Sequence, residues 1–448
     1  MNRTATALGM VFLLAAARSV AAQGLSLRAA VEEALSRNPA VAAADARQQT
    51  AKAEERAAHS ARLPRVDLSE SATRSNNPVF VFGSLLEQGR FAPRHFDPAF
   101  LNAPDALTNY RAALAARFTI FDGFRSTLAV ERGRNGVDRA AIEREDVRQR
   151  LRAETIARFY GVLLAAEKVK VAKEAVATAE AGAKSTRDRF EQGLLVESDA
   201  LSTEVQLAGF RQRLIAAEGE LAIARAALAT LLQRPYGETI AIDGALAIPS
   251  GQAVEAPLDA AIALALRQRA PVRIASLAAA DARLNLTLER ATALPRVDAY
   301  GTFGASGSTP GRRNSDATGA VAISLELFDR TRDSRIAAAR AGIDAARAGD
   351  AQARDAVTME VIAAWHRLQT ARESAAVATA AVGQAESAAR IVRDRYEQGL
   401  LTITEPLRAE TALTSARFDL LAARYESVVA HAELLRATGD LNDVQPFQ

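Results

Sequence analysis

Two stretches of this chain repeat one another, which restricts the fold to architectures that can be built twice on one plan. Leu63-Pro64-Arg65-Val66-Asp67 returns as Leu294-Pro295-Arg296-Val297-Asp298. Arg189-Phe190-Glu191-Gln192-Gly193-Leu194-Leu195 returns as Arg395-Tyr396-Glu397-Gln398-Gly399-Leu400-Leu401. Around these anchors each copy reads as helix, strand pair, very long helix, tight turn and helix. The repeats divide the chain into residues 23–234 and 257–439, joined by a linker over 235–256 and followed by a short tail over 440–448.

Leu25–Leu63 and Leu258–Leu294 have helical patterning, broken near Asn38-Pro39 and Pro271, because proline disfavours helix at the preceding residue. Pro64 and Pro295 then turn each chain segment into strand. The hairpins are expected at about 65–121 and 296–328. Tyr110, Ala112, Leu114, Ala116, Phe118 and Ile120 alternate with Arg111, Ala113, Ala115, Arg117 and Thr119. Val321, Ile323, Leu325 and Leu327 alternate with Ala320, Ala322, Ser324 and Glu326. Such a dyad period fits a strand between lipid and an aqueous lumen, and equally a half-buried soluble sheet. Asn76–Asp105 reads as a long Phe- and Pro-rich loop, whereas its counterpart around Gly307–Ser315 is short.

After Phe121-Asp122-Gly123 and Phe328-Asp329 come helical stretches of roughly 65 residues, each about 100 Å long at 1.5 Å per residue. Asp122 and Asp329 are placed to cap them. A 4-3 seam runs Val357, Val361, Ala364, Leu368, Ala371, Ala375, Ala378, Val382, Ala385, Ala389, Val392, Tyr396. The first copy keeps Val162, Ala165, Val169, Ala172, Val176, Ala179, Ala183, Thr186, Phe190. This spacing indicates coiled-coil packing, and alanine in the seam lets helices approach closely. Gly193 and Gly399 stop the long helices, and Asp199–Gln233 and Thr404–Thr438 return as second arms. Each repeat thus ends in a helical hairpin (122–234 and 329–438).

Composition narrows the class. With 49% hydrophobic but only 5% aromatic residues, the chain buries small side chains between helices. The 56 basic and 53 acidic residues give a net charge of +3 and are interleaved, which describes a solvated helix surface and no nucleic-acid footprint. Residues 1–22 combine Arg3, an apolar run and Val20-Ala21-Ala22, the pattern of an export signal cleaved after Ala22. Zero cysteines excludes disulfides and an acylated N-terminal cysteine. His59, His95, His366 and His431 lie far apart, so no metal site, cofactor or catalytic constellation is expected.

Four lipid-facing strands cannot close by themselves, since the smallest barrels use eight and an open edge in lipid leaves backbone groups unpaired. Copies must therefore pool strands, and three of them supply twelve around an aqueous lumen.

These paired anchors, together with Asn38-Pro39, the Leu-Pro crossovers and the Phe-Asp turns, resemble the TolC-type outer-membrane efflux proteins. The resemblance implies a mixed α/β membrane protein: a homotrimer with a twelve-stranded β-barrel in outer-membrane lipid and a helical barrel across the periplasm. It implies a passive exit duct for efflux or type I secretion, served by an inner-membrane transporter of RND or ABC type and a periplasmic adaptor. Docking of that adaptor falls on Gly193, Leu194, Leu195, Gly399, Leu400 and Leu401. The aperture falls on Glu405, Arg408, Asp199 and Tyr396, with Tyr396 at the place of a latch aromatic. Arg408 departs from the family's acidic pattern, and pairing with Glu405 would weaken cation preference. These positions also have a plain structural explanation, since first-turn acids and early proline stabilise helix N-termini and glycine terminates helices. The rival function is a periplasmic coiled-coil adaptor or scaffold.

Overall fold

A computed structural model describes residues 24–235, 237–238, 240–246 and 257–447. The expected export signal and part of the 235–256 linker lie outside the described residues. The first repeat contains α1 (Leu27–Arg37), α2 (Pro39–Ser60), β1 (Arg65–Ser75), α3 (Pro78–Glu87), α4 (Pro98–Asn102), β2 (Leu107–Phe121), α5 (Arg125–Glu191) and α6 (Glu197–Leu231). The second contains α7 (Leu258–Gln268), α8 (Ala270–Ala291), β3 (Arg296–Thr309), β4 (Arg312–Ser324), α9 (Arg330–Glu397) and α10 (Thr404–Thr438).

The helix breaks fall where proline puts them. Asn38 is extended (ψ 129°) ahead of Pro39 and caps α2 by accepting from Ala40 N at 2.9 Å. The long helices span 67 and 68 residues. Asp329 caps α9, accepting from Thr331 N at 2.8 Å. Asp122 works differently. Gly123 and Phe124 both take positive φ, so α5 starts at Arg125, and Asp122 reaches past them to accept from Ser126 N at 2.8 Å.

The lower helices form an array in the lateral order α6, α5, α10, α9. The predicted seam lies inside it: Val357, Val361, Ala364, Leu368, Ala371 and Ala375 are buried, as are Val162, Ala165, Val169, Ala172, Ala179 and Ala183. Higher up, α2 takes over from α6 against α5, and α8 supports α9. Backbone comes close there, for a Cβ on Gly133 would meet Glu55 Cα at 3.1 Å. Where the elements cross, the almost fully buried Arg269 donates to Glu360 Oε2 at 2.6 Å and to Asp146 Oδ1 at 3.4 Å. Arg436 holds the other Glu360 oxygen at 2.7 Å, so one ion cluster ties α5, α9 and α10 to the α7–α8 corner.

The four strands form one antiparallel sheet in the order β1-β2-β3-β4, leaving β1 and β4 as edges. Pairing of Val66 with Ala116, Leu114 with Phe303 and Ala299 with Val321 assembles one apolar face; pairing of Asp67 with Ala115, Arg111 with Ser306 and Thr302 with Thr318 assembles the polar one. The second hairpin differs from expectation at both ends. Its strands run on to Thr309 and from Arg312, leaving Pro310-Gly311 as the turn, and β4 stops at Ser324, so Leu325, Leu327 and Phe328 lie beyond the sheet and exposed. The 76–105 segment is likewise no plain loop, for proline starts both α3 and α4 there, with Asn77 and Asp97 capping them.

The 440–448 tail is also more than an appendage. Leu441, Val444 and Phe447 enter the largest core cluster, beside Ile156, Phe159 and Leu228, and Tyr160 Oη donates to Phe447 O at 2.5 Å. The described linker joins the same core through Ile240 and Leu246. His431 is fully buried there, its ring 5.0 Å from that of Phe447, with no partner for either nitrogen among the described residues. Burial, reinforced by the Arg372 charge, pushes its pKa down to about 4. In the unfolded chain His titrates near 6.5, so the stability from keeping His431 neutral is complete above that pH and is lost as pH falls toward 4, up to about 3 kcal/mol. The fall in the helical melting midpoint between pH 7 and 4.5, followed by circular dichroism, should be smaller for His431→Leu than for the parent; equal falls contradict the assignment.

Candidate functional site: the helical tips

At the foot of each hairpin the chain reverses through the same hydrogen-bonded turn. Gly193 N donates to Phe190 O at 2.8 Å and Leu194 N to Arg189 O at 2.9 Å; Gly399 N donates to Tyr396 O at 2.9 Å and Leu400 N to Arg395 O at 2.9 Å. This is the paired closure of a helix end around a left-handed residue. The glycines supply φ values of 74° and 73°. Leu194 and Leu400 are pushed outward, 68% and 67% exposed. Leu195 and Leu401, assigned with them to docking, are half-buried, because α6 and α10 begin just beyond and draw the second leucine inward.

Asp199 lies in the first turn of α6 and Glu405 in that of α10, with neither helix start receiving a side-chain cap. Glu405 and Arg408 come together at 3.4 Å across one helical turn, both substantially solvated. Such a pair contributes less than about 1 kcal/mol, but it places a cation beside each carboxylate. Asp199 has no ion partner among the described residues and stands in the other hairpin. Tyr396 is half-buried: Arg189 lies 6.0 Å from its ring centre and its hydroxyl has no partner among the described residues. Ring and guanidinium stand at the edge of a cavity of about 440 Å³ between the two hairpins, bounded by Gly182, Phe210, Ile403 and Leu407.

The residues that hold the hairpins in register escaped the motif reading. Arg187 pairs with Glu204 and Arg393 with Glu410, each 17 residues apart; Arg211 bonds Glu180 and Arg417 bonds Glu386, each 31 apart. These equal separations are a sequence signal once the repeat is aligned. Between hairpins, Gln206 Nε2 donates to Leu407 O at 2.8 Å and Arg417 lies 3.4 Å from Glu174. No group of three or more potential metal ligands occurs among the described residues.

Residues 30–233 and 261–440 match the family described as outer membrane efflux protein. The chain belongs to that family. It is 29% identical over 296 residues to the cobalt-zinc-cadmium resistance protein CzcC of Cupriavidus metallidurans, covering 65% of this chain and 68% of that one. It is 27% identical over 351 residues to CyaE of Bordetella pertussis, with coverage of 75% and 72%. Among solved structures, CusC superposes with a TM-score of 0.77 at 18% identity over 92% of both chains. The outer membrane protein VceC of Vibrio cholerae gives 0.75 at 20% identity over 92% of this chain and 96% of its own. The fold expected from the sequence, long paired helices with four strands per chain, is therefore the fold of known outer-membrane channels.

An L-residue at a left-handed turn position costs about 1–2 kcal/mol. Gly399→Ala should therefore accelerate amide exchange over the turn at 396–402 by about fivefold or more; unchanged exchange contradicts a strained tip.

Proposed function

We propose that three copies of this chain form the outer-membrane exit duct of a tripartite efflux pump or type I secretion system, with an adaptor and an inner-membrane transporter of RND or ABC type beneath it. The observation that carries this reading is the open sheet: β1 and β4 are unpaired edges of a sheet whose one face is apolar and whose other face is polar. In lipid each unpaired backbone group costs several kcal/mol, so the edges must meet those of other copies. The helical edges agree. On α6, Leu201, Val205, Ile215 and Ile223 are exposed; on α9, Val377 and Ile391 are. Ile215 and Val377 stand equally far in sequence from Gly193 and Gly399, so the stripes of neighbouring copies meet at one height. A periplasmic adaptor or scaffold has no use for such a sheet, and no observation favours that alternative.

The lower end is the gate in this reading. Leu194 and Leu400, with their glycines, offer the adaptor an apolar contact on a solvated surface. Opening separates α9–α10 from α5–α6, which breaks Gln206–Leu407, Arg417–Glu174 and the Arg189–Tyr396 stacking, and the cavity beside Tyr396 gives the ring room to move. These contacts are individually weak and none is fully buried, so an adaptor can disrupt them with modest binding energy. At the aperture Glu405 supplies negative charge and Arg408 offsets it.

Three results follow. Gly399→Arg should abolish export while heat-resistant oligomers persist in the outer membrane, and normal export by that variant contradicts tip docking. Tyr396→Ala with Gln206→Ala should raise single-channel conductance in planar bilayers severalfold; an unchanged conductance removes the gate assignment. Arg408→Ala should shift the reversal potential in a salt gradient toward cation preference, and no shift means that the pair lies off the conduction path.

A further inference from the structure

The insertion between β1 and β2 is a small folded unit with a core of its own. The rings of Phe82 and Phe91 lie 4.9 Å apart, Phe91 and Phe96 5.1 Å, and His95 and Phe100 5.0 Å. Val81, Leu85 and His95 are buried, and His95 Nδ1 accepts from Ala92 N at 2.9 Å. The C-terminal end of α3 fastens this unit to the sheet. Glu87 Oε2 lies 3.6 Å from Arg111 Nη1 and accepts from Ser306 Oγ at 3.3 Å and Asn109 Nδ2 at 3.4 Å. Gln88 Nε2 donates to Asn109 Oδ1 at 2.9 Å and to Thr108 O at 3.0 Å, and Asn314 Nδ2 donates to Glu87 O at 3.0 Å.

The strand pairing decides which side this is. Asn109, Arg111, Ser306 and Asn314 all belong to the polar face, and Asn109 and Ser306 are buried beneath the insertion, with its own Gln88 buried against them. Arg111 is itself held across the sheet by Asp316, its two nitrogens donating at 3.0 and 2.9 Å. That bridge passes over Gly304, where a Cβ would stand 2.7 Å from Arg111 Nη2, so a side chain there would displace it. A segment that only joined two strands would need no such anchor. This one is bonded to the polar face of the sheet.

We propose that the 76–105 insertion is an inward-folded lid over the outer mouth, latched through Glu87 to Arg111, and that it limits the size of what crosses that mouth. The inference rests on the duct reading above, in which the polar face lines the lumen. Glu87 and Arg111 are partly solvated, so this ion pair is the part of the anchor for which water competes most readily. The lid is a second constriction, at the opposite end of the conduit from the helical aperture and independent of the adaptor.

The chain has no cysteine, so Thr302→Cys places a single thiol deeper on the same polar face. Intact cells would receive either a small maleimide or one carrying a bulky polymer, in the parent Thr302→Cys protein and with Glu87→Lys or Glu87→Gln added. The small reagent should label all three. The bulky reagent should react about tenfold faster with Glu87→Lys, the change expected when one charge-assisted contact becomes a repulsion, and at an intermediate rate with Glu87→Gln. Equal bulky-reagent rates, with small-reagent labelling intact, overturn the lid and leave the duct standing. If the small reagent labels none, Thr302 does not face an externally open lumen, and the duct reading fails instead. Recovery of heat-resistant oligomers in parental amounts separates an opened lid from a misfolded barrel.

Discussion

Unpaired backbone at a sheet edge is the constraint from which the rest of this molecule follows. Four strands with an apolar face belong in lipid, and lipid offers no substitute partner for β1 and β4. Closure therefore has to come from identical edges on other copies, and that requirement reaches down through the helices. Each hairpin must present a lateral surface that continues the ring, and an alanine-lined seam allows rods about 100 Å long to lie close without bulky side chains forcing them apart. The ion cluster at Arg269 sits where the two regimes join, and one buried guanidinium there serves several helices.

Duplication supplies most of this economically. The same Arg–Glu spacings and the same glycine-centred turn serve both hairpins, so the two halves have a common height. The copies part company at the helical tips and at the strand ends. Asp199 has no neighbour corresponding to the Glu405–Arg408 pair, Phe190 takes the place of Tyr396, and one strand pair carries a folded insertion where the other has the two-residue turn Pro310-Gly311. Asymmetry within each copy gives a symmetric ring two chemically different kinds of wall position.

Much of the architecture was legible in the sequence because it is written in periodicity. The long helices, their glycine stops, the proline breaks and the alternation of β2 depend on local residue order, and they appear where that order puts them. What escaped depends on contacts between distant segments. The Phe- and Pro-rich stretch looks like loop because its helices are short and its core is built from rings brought together by folding. The tail and linker look dispensable because Leu441, Phe447 and Ile240 reveal their burial only beside Phe159 and Leu228. At the tips, the repeated leucine pair gave no sign that one member faces water and the other the helix start, a distinction set by where α6 and α10 begin. The cross-hairpin bonds of Gln206 and Arg417 join positions more than two hundred residues apart and leave no local mark.

The number of chains that close one cylinder is the property on which every other feature depends. Native mass spectrometry of protein extracted from outer membranes in mild detergent should give particles of three chains. A folded single chain as the dominant species, or particles recovered from the aqueous periplasmic fraction without detergent, contradicts it.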